Sequence, residues 1–130
     1  MRKHQRMRKT RNFILCSYLA VFSVSADVTT GQFSSCKYDQ DSGDITGVEV
    51  HIVPNPIGFS FVAHGSEGAP GFPEVYDLEE EGDSMTVTIP STSRSGMRPC
   101  KYQIEVSSEA LVMRCQDFSY TVPRKATFWQ

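Results

Sequence analysis

Two histidines, His51 and His64, are the candidates for acid–base chemistry after the first 26 residues of this 130-residue chain. Nucleophilic catalysis would need a nucleophile and an orienting acid beside one of them. Ser66 and Glu67 follow His64 closely, but the segment lacks the Gly-x-Ser-x-Gly turn that presents a catalytic serine. Alternation places His51 beside Glu49 on the outside of a strand. We therefore predict two solvated histidines and no enzymatic activity. An enzyme would require a histidine, an acid and a nucleophile to meet in one pocket.

Asp39, Asp41 and Asp44 have the residue type and close spacing of a calcium-binding loop. An EF-hand loop needs Gly at its sixth position and Glu at its twelfth, but counting from Asp39 these positions hold Asp44 and Val50. Asp, Ser and Gly suit a polar turn, so we predict a turn, with a loose surface calcium site as the alternative. No other metal and no cofactor is expected, because the chain has no Cys-x-x-Cys pair and no histidine at zinc-ligand spacing from a cysteine.

Three cysteines, Cys36, Cys100 and Cys115, lie after residue 26 and allow one disulfide and one spare thiol. The hairpin predicted after Cys100 places Tyr102 opposite Cys115 and leaves Cys100 diagonal to Cys115. Diagonal partners lie about 7–8 Å apart, beyond the disulfide Cα range of about 4.4–6.8 Å. We therefore predict that Cys36 pairs with Cys100 or Cys115, while a bulge would permit the Cys100–Cys115 pair. The spare thiol is predicted to be a small buried side chain, with an intermolecular bridge or a reactive nucleophile as the alternative.

Residues 1–26 have the three parts of a secretory signal peptide. Six Lys or Arg side chains precede residue 12, an apolar segment follows from Phe13 to Phe22, and Val24-Ser25-Ala26 ends it. The apolar stretch to Ala26 is shorter than the roughly 20 residues that a membrane-spanning helix needs. We therefore predict cleavage after Ala26, a secreted or periplasmic location, and no membrane span in the mature form.

Removal of this leader changes the charge of the chain. The full sequence has a formal charge of −2, whereas residues 27–130 carry 7 Lys or Arg and 15 Asp or Glu, which gives −8. A domain of this charge is repelled by nucleic acid. We therefore expect no nucleic-acid binding, and we expect any charged partner to be basic.

Apolar and polar residues alternate through much of residues 27–130, and no helical periodicity competes with this pattern. The clearest segments are residues 45–53, 58–64, 85–89 and the two halves of a hairpin, 100–106 and 111–116. Seven to eight short strands in one domain predict an all-β fold. We predict a small antiparallel β-sandwich, either immunoglobulin-like or a partly open barrel. The immunoglobulin signature of a Trp between two cysteines is missing, since the only Trp is Trp129.

Two segments between these strands are predicted to be loops that reach a partner. Residues 64–83 are rich in Gly and Pro and also carry aromatic and acidic side chains, and long loops in compact domains are often functional. Residues 91–99 are basic and precede Cys100. The predicted contact residues are Phe72, Tyr76, Glu79, Glu80 and Glu81 in the first segment and Arg94, Met97 and Arg98 in the second.

These observations predict an exported, non-catalytic β-domain that binds a protein or glycan partner through its loops. One alternative is an inhibitor of a secreted hydrolase of protease or lysozyme type. Its mark would be a protruding loop at residues 91–99, or an acidic loop at residues 79–83 set against a basic enzyme. Another alternative is a structural or assembly component of the cell envelope, built on exposed strand edges or on the terminal pair Phe128-Trp129.

Overall fold

The computed structural model describes residues 29–125, which form nine antiparallel strands and no helix. The strands are β1 (Gly31–Ser34), β2 (Lys37–Tyr38), β3 (Ile45–Asn55), β4 (Gly58–Pro70), β5 (Glu74–Glu81), β6 (Ser84–Ile89), β7 (Cys100–Val106), β8 (Ala110–Cys115) and β9 (Phe118–Pro123). The predicted all-β antiparallel fold is confirmed. No helix between residues 29 and 125 has the length and apolar character needed to cross a membrane. The predicted signal peptide and Phe128-Trp129 lie outside the described residues.

The strands form one sheet that is nearly closed into a barrel. They pair in the order β1-β3-β4-β5-β6-β7-β8-β9, with β2 added to β3. The two ends meet where Phe33 of β1 forms a bridge with Arg124 and the Lys125 amide donates to the Gln32 carbonyl at 3.1 Å. Of the two forms that we predicted, the structure has the barrel form, and two separate stacked sheets are not observed among residues 29–125. Alternation shows only that each strand buries one face, and a closed sheet satisfies this requirement as well as two stacked sheets do.

The inside of the barrel is filled by side chains from every strand of the closed path. The largest fully buried side chains include Phe33, Ile52, Phe61, Tyr102 and Leu111, each at most 1% exposed. Full burial of an aliphatic or Phe side chain contributes about 1.5–3 kcal/mol relative to exposure. The interior is therefore a packed core, and any binding site must lie on the outside or at the ends of the barrel.

The hairpin formed by β7 and β8 has the register that the sequence predicts. Ile104 faces Met113, Val106 faces Leu111, and the turn is closed by the Ser107 amide, which donates to the Ala110 carbonyl at 2.9 Å. A shift by one residue would turn one apolar face outward, and the position of the turn selects this register among those that keep both faces buried.

The disulfide joins Cys100 and Cys115, so the predicted pairing of Cys36 is wrong. Regular β7–β8 pairing ends at Gln103 and Arg114, and beyond that point the two cysteine Cα atoms lie 6.4 Å apart. This distance falls within the disulfide range of about 4.4–6.8 Å, whereas the diagonal distance of a regular ladder exceeds it. The disulfide is compatible with an oxidising, exported location.

Cys36 is the free thiol, and it is buried, as predicted for the spare cysteine. Burial raises the pKa of this thiol above its ordinary value of 9.0. A thiol reacts through its thiolate form. The raised pKa favours the neutral thiol of Cys36 over the reactive thiolate.

Most of the predicted loop at residues 64–83 is strand. β4 continues to Pro70 and β5 begins at Glu74, so only residues 71–73 connect them. Glycines in this stretch allow backbone to approach backbone: the Gly65 amide donates to the Ser95 carbonyl at 2.6 Å, and a Cβ on Gly71 would collide with the same oxygen. Glycine content predicts a loop, but here it lets residues 90–99 pack directly on β4.

Residues 90–99 form no strand, as predicted, and they close a gap in the sheet. β5 and β6 pair only where Glu79–Glu81 meets Ser84–Thr86. The first half of β5 instead contacts the 90–99 segment, because the carboxylate of Glu74 accepts a hydrogen bond from the Arg94 amide at 2.9 Å. The segment therefore lies on the barrel wall.

Candidate binding face

The outward side of β3, β4 and β5 brings the two histidines together with several apolar side chains. The register places Glu49 of β3 opposite His64 of β4, and it places His51, Val62 and Val75 in one row across the three strands. Successive strand residues point to opposite sides of a sheet, so this set points away from the barrel interior. We define the histidine face as Glu49, His51, Val53, Val62, His64, Pro73, Val75 and Asp77.

Glu49 is buried at the base of this face and is only 5% exposed. Its Oε1 lies 3.0 Å from Nε2 of His51 and 3.9 Å from Nε2 of His64. Within residues 29–125, neither Oε2 of Glu49 nor Nδ1 of His64 has a hydrogen-bond partner. A buried polar atom is normally paired, because leaving it unpaired is costly. The free carboxylate oxygen therefore marks a position where a ligand would be stabilised.

Apolar walls complete a small pocket above Glu49. The histidine pocket has a volume of about 280 Å³ and is lined by Glu49, His51, Val53, Val62, His64 and Pro73. Val53 at its rim and Val75 beside it are 44% and 67% exposed. Apolar walls with a few convergent polar groups are typical of ligand sites. The pocket can hold an alkyl chain against its walls and a positive charge at its base.

The sequence predicted part of this arrangement. It placed His51 beside Glu49 on the outer face, and the register confirms that direction. The prediction that His64 is solvated is wrong, since its side chain is 13% exposed. One signal was available: β3 and β4 form a hairpin around residues 56–57, and extending its pairing places Glu49 opposite His64. Burial of the carboxylate could not be read from alternation.

The pocket contains histidines and an acid, but no nucleophile is bonded to them. Within the described part of the chain, the hydroxyl of Ser66 is buried without a partner and makes no hydrogen bond to His64. Nε2 of His51 lies 3.0 Å from Oε1 of Glu49. No group of three His, Cys, Asp or Glu side chains between residues 29 and 125 is placed to hold a metal ion.

An acidic end adjoins the histidine face. Ile57, in the turn between β3 and β4, is 95% exposed. The groove beside it is lined by acidic side chains of β5, and we define the acidic tip as Ile57, Asp77, Glu79, Glu80 and Glu81. Glu81 forms a salt bridge with Lys101 at 2.7 Å, while Asp77 and Glu80 extend into solvent. The acidic residues that we predicted as contacts are therefore exposed, although they lie on a strand and its end.

Phe72, Arg94 and Tyr76, also predicted as contacts, hold residues 90–99 against β5. The Arg94 guanidinium lies 5.3 Å from the centre of the Phe72 ring. The Tyr76 hydroxyl donates to Glu74 at 2.6 Å and is also 2.6 Å from the Ser93 hydroxyl. Phe72 remains 63% exposed, so it can still contact a partner, whereas Tyr76 is bonded within the chain.

Met97 and Arg98 also contact the barrel. Met97 is buried and packs in the core, so its predicted role as a contact residue is wrong. The Arg98 guanidinium lies 4.0 Å from the centre of the Phe118 ring. The 90–99 segment is therefore packed against the barrel along its length and does not protrude.

Asp39, Asp41 and Asp44 form the turn between β2 and β3, as predicted. The Asp39 carboxylate accepts hydrogen bonds from the amides of Asp41 and Ser42 at 2.8 and 3.3 Å. The Asp44 amide donates to the Ser42 hydroxyl at 3.2 Å. These bonds within the turn explain the choice of residues at this position.

No protein-family model, no curated protein and no solved structure matches this chain.

Proposed function

We propose that this chain is an exported, non-catalytic domain that binds a basic protein on its histidine face and acidic tip. The observation that carries the proposal is a pair of exposed aliphatic side chains, Val53 and Val75, on either side of the half-buried Val62. They share one sheet face with the carboxylates of Glu49 and Asp77. Exposed apolar groups that share a face and are rimmed by polar residues are typical of interaction sites. Acidic groups around them favour and orient a positively charged partner.

Charge and location support this proposal. Residues 27–130 carry a formal charge of −8, which attracts basic proteins and disfavours nucleic acid. The signal-peptide pattern of residues 1–26 and the Cys100–Cys115 disulfide both fit an exported protein.

A protein partner fits this surface better than the other partners we considered. The histidine face offers aliphatic and acidic side chains, which suit a basic polypeptide with apolar residues. An assembly role would use free strand edges, but β1 has four residues and is joined to the end of β9 by the Phe33–Arg124 bridge. The glycan alternative has no comparable observation in its favour among the described residues.

The proposal is tested by affinity capture with a matched pair of variants. Val75→Lys places a positive charge on the histidine face, and Val112→Lys makes the same change on the outside of β8. We expect the wild type and Val112→Lys to capture the same basic protein from the exported fraction, and Val75→Lys to lose it. Mass spectrometry identifies the captured protein. Equal capture by both variants, or capture of an acidic protein alone, would contradict the proposal.

A second candidate function is inhibition of a basic hydrolase, and the exposure of Ile57 favours it. An apolar side chain at a hairpin tip, beside Glu79 and Glu80, can enter the cleft of a cationic enzyme. Inhibition of a purified lysozyme by the wild type, reduced at least about tenfold by Ile57→Asp, would support this function. Absence of inhibition at a large molar excess would leave binding as the function.

A further inference from the structure

We infer that the histidine pocket accepts the side chain of a lysine residue of the partner, with its ammonium group against Glu49. This inference rests on the proposed function and specifies the chemistry at the centre of the histidine face. Three features of the pocket carry it: the unpaired oxygen of Glu49, the position of the two imidazoles, and the apolar walls.

Glu49 supplies a negative charge that lacks a full set of partners. The residue is 5% exposed, and its Oε2 has no hydrogen-bond partner in the part of the chain that the structure describes. A buried carboxylate is stabilised by a cation that also donates hydrogen bonds. Oε2 is itself shielded from solvent, so an ammonium group, which has three donors, must enter to the base of the pocket to donate to it.

The pocket suits lysine better than arginine. His51 already lies 3.0 Å from Oε1 of Glu49, so only one carboxylate oxygen is available to a ligand. Arginine binds a carboxylate through two parallel hydrogen bonds, whereas lysine acts as a single point charge. The alkyl stem of a lysine would pack on Val53, Val62 and Pro73, since long cationic side chains lay their carbon chain on apolar surface.

The two imidazoles flank the Glu49 carboxylate on one oxygen. Nε2 of His51 lies 3.0 Å and Nε2 of His64 lies 3.9 Å from Oε1 of Glu49. Among the described residues Oε2 has no hydrogen-bond partner, so it is the oxygen left for the ammonium group of a ligand.

The test uses two blocked tripeptides, Gly-Lys-Gly and Gly-Arg-Gly, as ligands of the protein with its Cys100–Cys115 disulfide formed. Each is titrated at about pH 7.5 while the NMR signals of His51, His64 and Val62 are followed. We expect saturable shifts with the lysine peptide, with a dissociation constant on the order of millimolar because a single side chain is bound. The arginine peptide should bind at least about tenfold more weakly. Equal binding of the two peptides would overturn the inference.

Glu49→Gln should lower the affinity for the lysine peptide at least about tenfold, because it removes the countercharge. Glu109→Gln, in the exposed turn between β7 and β8 and away from the histidine face and the acidic tip, removes the same charge and should leave the affinity unchanged. Unchanged binding by folded Glu49→Gln would overturn the inference.

The comparison of the lysine and arginine peptides on the wild type needs no variant, so the test remains decisive if Glu49→Gln does not fold. If Zn²⁺ bound in a one-to-one ratio and displaced the lysine peptide, the pocket would be a metal site and the inference would be overturned. Val75 lies outside the pocket, so retained Val75-dependent capture together with no lysine binding would overturn this inference and leave the proposed function standing.

Discussion

Glu74 and Glu49 are two carboxylates of the β3–β5 region with opposite surroundings. Glu74 accepts hydrogen bonds from the Tyr76 hydroxyl, the Ser93 hydroxyl and the Arg94 amide. These donors, Tyr76 foremost, hold the pKa of Glu74 below its ordinary value of 4.5. Glu49 keeps an oxygen without a partner. The Glu74 carboxylate therefore holds residues 90–99 against β5, whereas the Glu49 carboxylate keeps one oxygen available to a ligand.

Acidification should therefore remove the stabilisation that the hydrogen bonds of the Glu74 carboxylate provide. Because its pKa is lowered in the folded state, its contribution is present above pH 4.5 and is lost as the pH falls through the lower folded value. We expect Glu74→Gln to lower the melting temperature at pH 6 and to flatten its dependence on pH below 5. Thermal unfolding followed by circular dichroism between about pH 6 and pH 3 measures this. The matched change Glu80→Gln should retain the wild-type pH dependence, and an equal flattening in both variants would contradict the assignment.

At the scale of secondary-structure elements, the junction between β4, β5 and residues 90–99 is built on backbone contacts. The Gly71 amide donates to the Gly65 carbonyl at 2.8 Å, and the Gly65 amide donates to the Ser95 carbonyl at 2.6 Å. Gly96 completes the contact with a φ of 79°, which favours glycine because other residues rarely adopt it. Side chains at these positions would separate the segment from the strand.

Gly71→Ala should destabilise the fold by about 1–3 kcal/mol, because its Cβ meets backbone oxygens that cannot rotate away. Gly82→Ala is the control, since open space surrounds its Cβ and only its φ of 62° opposes the change. Placing alanine at this positive φ should lower the free energy of unfolding by about 1–2 kcal/mol. Urea unfolding gives both values. Faster amide exchange near Ser95 in Gly71→Ala, absent from Gly82→Ala, would place the effect at the junction, and equal exchange in both variants would argue against it.

The disulfide between β7 and β8 also belongs to this scale. It spans 15 residues, and closing a loop of that size stabilises a domain by about 3 kcal/mol in the entropy model. The free energy of unfolding of the double variant Cys100→Ala/Cys115→Ala should be lower than that of the wild type by about this amount.

The pairing and the burial of the cysteines can be tested chemically. Peptide mapping without reduction should show a Cys100–Cys115 crosslink, and Cys36 should react with a thiol reagent only after unfolding. Rapid labelling of Cys36 in the native protein would contradict its burial.

At the scale of the whole molecule, Arg124 contacts both ends of the sheet where the barrel nearly closes. Its guanidinium lies 4.5 Å from the centre of the Phe33 ring and donates to the carbonyls of Thr30 and Ser107. One side chain therefore links the start of β1, the β7–β8 turn and the end of β9. A planar group with several donors is needed for this, and lysine does not supply it.

Arg124→Lys should loosen the closure while keeping the charge. We expect faster amide exchange at Lys125, whose amide donates to Gln32 across the seam, and a lower melting temperature. Arg114→Lys is the control, because that guanidinium is exposed and pairs only with Glu105 among the described salt bridges, which contributes at most about 1 kcal/mol. Hydrogen-exchange mass spectrometry compares the two variants. Equal protection of the seam in both would show that closure rests on the backbone bridge alone.

The amino-acid sequence by itself determined the strands on either side of residues 64–83 and the core-facing side of those strands. Val48, Val50 and Ile52 face the core as alternation predicts, and the β7–β8 register follows from the position of the turn and from two apolar faces that must be buried together. The positions of the acidic residues and the polar turn at Asp39 were also readable, because they depend on local residue type.

Only the tertiary structure decided the curvature of the sheet, the disulfide partner and the histidine pocket. Alternation is the same in a sandwich and in a barrel, and spacing along a regular ladder places Cys100 too far from Cys115. Glu49 and His64 meet because β3 and β4 pair along their whole length. Twist, closure and burial arise from how all strands pack together, and no local pattern of residues encodes them.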